Sequence, residues 1–224
     1  GSEISALARG IDAGEYGLFI LFGGMASSYY SELKSAWVSF PHTRLLIEAV
    51  CDVLSSECSK EELSSTGYFD EGIDPRKWFD GETPSEEHLL SSSIAQPLLF
   101  LTQMVNLMIL TRNGGFDWDF LSKNLKGVAG HSQGITPAVL LSIGLDDDTI
   151  VERAKDVAVW LLWRGVRMQQ AYPPASIPKY LQERAATSGD DSYLGPMAAV
   201  KGLEEARLHE ILYKLNEDLP DNER

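Results

Sequence analysis

Residues 126–144, KGVAGHSQGITPAVLLSIG, decide the fold that this sequence predicts. They contain the pattern G-x-S-x-G, made of Gly130, His131, Ser132, Gln133 and Gly134. In such a pattern a serine lies at a sharp turn from a strand into a helix, and its neighbours are small because larger side chains would clash. A short apolar run precedes the turn, and apolar residues recur at helical spacing after it. This context predicts that Ser132 is a nucleophile; the alternative is a turn whose serine only caps the following helix.

Composition limits the class of protein and its partners. The chain has 224 residues, 44% of them hydrophobic, which is typical of one good-sized core or of a main domain and the start of a second. Its net charge of −14 disfavours binding to nucleic acid and to anionic membrane surfaces. The longest apolar run, residues 97–110, is interrupted by Thr102, Gln103 and Asn106. We therefore expect no nucleic-acid partner and no membrane partner.

The two cysteines, Cys51 and Cys58, have no histidine at metal-ligand spacing. They predict neither a disulfide framework nor a zinc site. Ordinary thiols are typical of a reducing compartment, so we expect a cytoplasmic location and no bound metal.

Apolar patterns predict the elements around the turn. The run Leu18–Phe22, followed by Gly23 and Gly24, predicts a buried parallel strand beside the one that leads into Ser132. Helices are predicted at residues 29–37, 42–54, 93–111 and 150–172, and the third is apolar on nearly every side, so it should pack under the turn. The acidic segment 58–90 is expected to have little regular structure, with Trp78 and Phe79 as anchors. Residues 197–200 predict a strand, and residues 203–215 an amphipathic helix.

A nucleophilic serine needs a base and two donors for the oxyanion. The backbone N–H of Gln133 is the expected first donor, and the loop after Phe22, through Met25, is the expected second. Four histidines are available: His42, His88, His131 and His209. His131 precedes the nucleophile on a sharp turn, where neighbouring side chains diverge, and the other three fall on helices or loops where surface histidines are common. The sequence thus offers no convincing general base.

Five motifs in fixed order carry a family resemblance. They are LFGG (21–24), SIAQPL (93–98), GVAGHSQG (127–134), RGVRMQQAYP (164–173) and PMAAVKGL (196–203). Over nearly the whole chain, the sequence resembles the acyltransferase domains of type I fatty acid synthases. It is similar in particular to the starter (acetyl) transferase of fungal-type synthases, and more distantly to malonyl-CoA:acyl-carrier-protein transferases.

The resemblance implies an α/β fold: an α/β-hydrolase-like core with a parallel sheet, and an inserted ferredoxin-like subdomain. Residues 1–192 would form the front part of the core, and residues 193–224 the first strand and helix of the subdomain. The catalytic histidine and the rest of the core are then expected beyond Arg224.

The resemblance also implies substrate contacts by Arg164, His131 and Gln96. In malonyl-type transferases an arginine at the place of Arg164 pairs with the free carboxylate of the substrate, whereas starter transferases carry an apolar residue there. The alternative is a helix-end arginine favoured by the helix dipole. The family usually has Gln-Gly where this chain has Met25 and Ala26, so a backbone N–H remains but a glutamine side chain is lost.

The implied activity is transfer of an acetyl, other starter or malonyl group from coenzyme A to an acyl carrier protein, through an acyl-serine, in fatty acid or polyketide synthesis. Acyl-CoA, the phosphopantetheine arm of the carrier protein, the other synthase domains and the remaining part of the acyltransferase are the expected partners. No cofactor is expected, because a thioester is already activated. The alternatives are a serine thioesterase or hydrolase with the same elbow, and an inactive scaffold fragment of a megasynthase.

Overall fold

The computed structural model describes residues 6–25, 29–81, 83–171 and 202–217. The chain divides into two compact units, Gly1–Pro173 and Pro174–Arg224. The first is a mixed α/β unit, and the described part of the second is a helix. The expected boundary at 192/193 and the expected strand at 197–200 lie outside the described residues.

The elements follow in chain order. They are α1 (Ala6–Asp12), β1 (Leu18–Phe22), α2 (Tyr30–Ser39), a 3-10 turn (Pro41–Thr43), α3 (Arg44–Cys58), α4 (Glu61–Ser64), α5 (Pro75–Phe79), α6 (Glu86–Leu90), α7 (Ser92–Asn113), α8 (Trp118–Asn124), β2 (Leu125–Gly130), a 3-10 turn (Ser132–Gly134), α9 (Ile135–Ser142), α10 (Ile150–Ala171) and α11 (Glu205–Asn216).

The two strands form a parallel sheet, as the sequence predicts, but the expectation that β1 is buried is wrong, because only Phe22 of its five residues is buried. Phe22 of β1 pairs with Gly130 of β2, so both strands end at the same edge. A parallel connection requires a long crossover, and here the chain between β1 and β2 contains α2 to α8. Because β2 runs directly into the 3-10 turn at Ser132, the sheet places the turn beside the end of β1.

Helix α7 forms the centre of the first unit and packs against α2, α3 and α10. A Cβ at Gly165 of α10 would lie 2.2 Å from the Ser92 carbonyl oxygen, so the two helices approach closely at the start of α7. Helix α7 is also long and apolar enough to cross a membrane, although 83% of its most apolar part is buried inside the fold. A helix that is apolar on every side is what a central core position requires.

The segment between α3 and α7 is more ordered than the sequence predicts. It contains α4, α5 and α6, and the side chains of Asp74 and Ser85 cap the last two by accepting hydrogen bonds from backbone N–H groups. Short helices of this kind depend on caps and not on long apolar patterns. The predicted anchors, Trp78 and Phe79, are buried, so that part of the prediction is confirmed.

One face of the sheet is bare in the described part of the chain. Phe19 is 71% exposed and Leu21 75% exposed, whereas Phe22 on the opposite face is buried. Ile135 and Val139 of α9 and Ile143, which follows its last residue, are also exposed. Parallel sheets are normally covered on both faces, so this exposed apolar face departs from the usual arrangement.

The described part of the second unit is α11. It confirms the amphipathic helix predicted for residues 203–215. Leu208 and Ile211 are its partly buried apolar residues, whereas His209 on the same helix is exposed.

Candidate active site

The backbone at Ser132 has the conformation of a nucleophile elbow. Its φ of 53° makes it the only residue other than glycine with a positive φ in the described part of the chain. A Cβ at Gly130 would lie 2.1 Å from the Gly134 carbonyl carbon, and a Cβ at Gly134 would lie 2.3 Å from the Phe22 carbonyl oxygen. Both glycines are therefore required by close backbone approach. Ser132 itself is exposed.

The loop after β1 lies against this elbow. The His131 backbone N–H donates a hydrogen bond to the Phe22 carbonyl at 2.9 Å. A Cβ at Gly24 would be 3.0 Å from the Ser132 Cβ and 3.0 Å from the His131 carbonyl oxygen. Met25 follows directly and is half-buried, and Ala26 lies outside the described residues. The two predicted sources of oxyanion donors, Gln133 and the loop with Met25, are thus on neighbouring segments.

Beneath the elbow is a group of buried amides that the sequence did not predict. The Gln133 Nε2 donates to the Gln96 carbonyl oxygen at 2.7 Å, and the Gln96 Nε2 lies 3.0 Å from the Met168 sulfur. The Ser93 N–H donates to the Gln169 Oε1 at 2.7 Å. These bonds join the elbow to α7 and α7 to α10. The prediction that α7 packs under the turn is confirmed.

Gln96 is completely buried, and its contacts are with Met168 and Gln133. This arrangement favours support of the elbow over direct contact with a substrate, which requires access from outside.

Arg164 lies on the face of α10 that carries Met168, because residues four apart share a helix face. Its guanidinium carbon is 5.6 Å from the centre of the Trp160 ring, a cation–π contact, and it forms no ion pair with the described residues. The alternative of a helix-end arginine is wrong, because α10 continues for seven residues to Ala171 and the dipole effect is confined to the last turn.

The histidines fall into three situations. His131 is exposed on the elbow, and His42 is exposed with its ring against Phe40. His88 is buried, bonded through Nε2 to the Gly72 carbonyl at 2.7 Å, so the expectation of a surface histidine is wrong there. His209 is exposed in the second unit. Within the described residues, none of the four is hydrogen-bonded to Ser132.

The cysteines do not compete with Ser132 as nucleophiles. Burial raises the pKa of Cys51 well above its usual range, and burial together with the Glu57 carboxylate raises the pKa of Cys58 to about 12. Thiolate is the reactive form of cysteine, so both are unreactive near neutral pH. Over the ranges that the structure describes, no cluster of three or more His, Cys, Asp or Glu side chains could hold a metal ion.

A parallel strand, a serine with positive φ and two glycines in backbone contact define the class of proteins with a strand–elbow–helix serine site. Residues 20–223 match the family described as "Starter unit:ACP transacylase in aflatoxin biosynthesis". The chain belongs to this family, which is one of transferases. The resemblance drawn from the five motifs is thereby confirmed.

Curated relatives agree with the family. The chain is 28% identical over 216 residues to the fatty acid synthase subunit beta of Schizosaccharomyces pombe, covering 96% of this chain and 10% of that protein. It is 30% identical over 205 residues to the fatty acid synthase beta subunit aflB of Emericella nidulans, covering 89% of this chain and 9% of that protein. The chain therefore spans about a tenth of the length of these relatives.

Proposed function

We propose that this chain forms the nucleophile-bearing part of a serine acyltransferase, which moves an acetyl, other starter or malonyl group from coenzyme A to an acyl carrier protein. The observation that carries the proposal is the exposed Ser132 at φ 53° between two contact-forming glycines, in a chain of the transacylase family. The fatty acid synthase beta subunits among its relatives favour a place in fatty acid or polyketide synthesis.

In the first half-reaction the Ser132 Oγ attacks the thioester carbon while a base takes its proton. The backbone N–H groups of Gln133 and Met25 then stabilise the oxyanion. Collapse of the intermediate breaks the C–S bond, and the base returns the proton to the departing coenzyme A thiolate. In the second half-reaction the pantetheine thiol of the carrier protein attacks the acyl-serine, and Ser132 regains its proton. No cofactor enters these steps.

The base is proposed to come from a histidine elsewhere in a longer polypeptide. Two observations support this: no histidine among the described residues is bonded to Ser132, and one face of the sheet, at Phe19 and Leu21, is bare. Further strands or helices of an α/β-hydrolase-like core would cover that face. The second unit would then belong to a ferredoxin-like subdomain that separates the two halves of the core.

The specificity of the site is proposed to depend on Arg164, with His131 beside the nucleophile. A guanidinium can bind a carboxylate through two hydrogen bonds, which suits a malonyl group. Stacking on Trp160 holds the Arg164 side chain without neutralising its charge. The proposed setting is the cytoplasm, with the carrier protein and the other synthase domains as partners.

The experiment that tests the proposal follows radiolabelled acyl-CoA in the full-length protein. We expect a stable acyl group on Ser132, passed to carrier protein, and no label after Ser132→Ala, because the hydroxyl is the attacking group. Mass spectrometry of the labelled peptide locates the acyl group. Label that survives Ser132→Ala would contradict the assignment.

The same experiment separates the alternatives. Rapid release of free acid without carrier protein would indicate a thioesterase or hydrolase. Absence of any acyl-enzyme in the wild-type protein would indicate an inactive scaffold.

A further inference from the structure

Gln103 bonds the loop after β1 to the central helix. Its Nε2 donates to the Gly23 carbonyl oxygen at 2.7 Å, across 80 residues of sequence. The side chain belongs to α7 and is only 9% exposed. Its other polar atom, Oε1, is buried and has no hydrogen-bond partner within the described part of the chain.

This bond fixes a whole peptide unit. The carbonyl of Gly23 and the N–H of Gly24 belong to one planar group, and the described chain has no cis peptide bonds, so the two point in opposite directions. Holding the carbonyl against α7 therefore sets the direction of the Gly24 N–H. The preceding carbonyl, of Phe22, is held by the His131 N–H at 2.9 Å. Two successive carbonyls of this loop are thus anchored, one by the elbow and one by Gln103.

The anchored loop is the one in contact with the nucleophile. A Cβ at Gly24 would be 3.0 Å from the Ser132 Cβ, and Met25, the proposed oxyanion donor, is the next residue. A shift of the Gly23–Gly24 peptide would move both N–H groups relative to Ser132. Oxyanion donors contribute only when they are already directed at the developing charge.

We propose that Gln103 is a positioning residue for the oxyanion loop, an inference that rests on the proposed acyl transfer at Ser132. It acts through the Gly23 carbonyl and does not touch the substrate. Its function is to keep the peptide that carries the Gly24 N–H, and with it the Met25 N–H, in one orientation while charge develops on the thioester oxygen.

Stability alone does not account for a glutamine at this position. The Oε1 has no donor among the described residues, and a buried acceptor without a donor carries a desolvation penalty that lowers stability. An apolar side chain of similar size would remove that penalty in a helix that is otherwise apolar. Gly23 is exposed, so water can reach the loop. The amide of Gln103 is therefore better suited to orienting the Gly23–Gly24 peptide than to stabilising the fold.

The test uses the full-length protein and the variant Gln103→Met, which keeps the volume but removes the donor. We expect kcat for acyl transfer to fall about 10- to 100-fold, less than the 10²–10³-fold loss of an entire oxyanion donor, with KM for acyl-CoA nearly unchanged. Thr111→Val is the matched control, because Thr111 is a buried polar residue of the same helix that bonds only its own helix, at the Met108 carbonyl. It should leave kcat unchanged.

A second variant, Gln103→Glu, keeps the length of the side chain and tests whether donation to the Gly23 carbonyl orients the loop. Its neutral carboxyl can donate an O–H to the Gly23 carbonyl, whereas the ionised form repels that oxygen. Burial raises the pKa of a carboxyl. Activity per folded protein, relative to wild type, should therefore be highest at low pH and fall as pH rises through the pKa of the new group. Thermal melting at each pH gives the folded fraction, and a space-filling role would produce no such profile once that fraction is taken into account.

The outcomes are distinguishable. If wild-type protein forms no acyl-Ser132, the proposed function fails. If wild type is acylated but Gln103→Met has wild-type kcat, or loses kcat only in proportion to unfolded protein measured by thermal melting, the positioning role is overturned. Should Gln103→Met fail to fold, Gln103→Glu decides: a pH-independent ratio to wild type refutes the role, and the predicted decline supports it.

Discussion

The two sides of the serine elbow differ in how much of their surface is buried and hydrogen-bonded. On the side of α7, Gln133 and Gln103 are buried amides that donate to backbone carbonyls, both at 2.7 Å. On the bare face of the sheet, Phe19 and Leu21 extend outward with more than two thirds of their surface exposed. The same two strands thus border a buried side and an exposed apolar face. The buried side is joined to α7 by hydrogen bonds, although the Oε1 atoms of Gln103 and Gln133 have no hydrogen-bond partner among the described residues.

This difference between the buried side and the exposed face corresponds to a division of the proposed mechanism. The orientation of the nucleophile and of the loop with the oxyanion donor is determined within the first unit, by glycine contacts and by bonds to α7. In the proposed mechanism, the base and the cover over the sheet come from outside the described residues. The proposed mechanism therefore assigns backbone geometry and proton transfer to different segments, so the elbow can have its full backbone geometry in a chain that does not carry the base.

The largest expected effect concerns the base. If the base lies outside these 224 residues, as proposed, the chain alone should be acylated about 10²–10⁴-fold more slowly than a longer polypeptide that includes the base, because proton transfer would not contribute to catalysis. Burst-phase labelling with acyl-CoA measures both rates, and circular dichroism checks that the short chain is folded. Equal rates would contradict the proposed origin of the base and would make His131, the exposed histidine of the elbow, the candidate base.

An intermediate effect is expected at Arg164, on the partly exposed face of α10. Arg164→Ala in the full-length protein should reduce malonyl transfer about ten- to hundred-fold, in line with a charge-assisted hydrogen bond of roughly 1.5–3 kcal/mol, and should leave acetyl transfer nearly unchanged. Loading with malonyl-CoA and acetyl-CoA in parallel measures the ratio. Equal losses for both substrates would mean that Arg164 only supports α10 through its stacking on Trp160.

The smallest effect is expected on the exposed face of the sheet, which carries Phe19 and Leu21. Leu21→Ser should change the stability of the short chain by less than about 0.5 kcal/mol, as for exposed positions, but should destabilise the full-length protein by about 1.5–3 kcal/mol if that face is covered there. Chemical unfolding of both lengths gives the two values.

Val38→Ser is the control for that measurement, because Val38 is exposed on α2. It should have a small effect at both lengths. A small effect of Leu21→Ser in the full-length protein would show that the face stays open.

The sequence predicted the long elements well, for a physical reason. Helices α7 and α10 and strand β1 are specified by apolar runs or helical spacing, which dominate their local free energy. The turn at Ser132 was predictable because only small residues fit beside it. The burial of single side chains was harder to predict. His88 is buried, with contacts to Gly72 and Trp78, and nothing near it in the sequence indicates this.

The sequence did not predict the hydrogen bonds that position the residues of the site. The bond from Gln103 to Gly23 joins residues 80 positions apart, and in the sequence Gln103 was only a polar interruption of an apolar run. Helices α1, α4, α5, α6 and α8 were missed because each is at most seven residues long and is fixed by caps or by packing. A buried glutamine within an apolar helix is a signal that could have been used, since such residues are normally hydrogen-bonded.

The left-handed backbone at Ser132 has an evolutionary consequence. Every residue with a Cβ is disfavoured at a φ of 53°, and glycine is not. A change of this codon to glycine would therefore relax the elbow while removing the hydroxyl, so that loss of activity and relief of strain arise together. Lineages in which this domain is released from selection for catalysis would thus find an inactive form with no folding penalty at the turn.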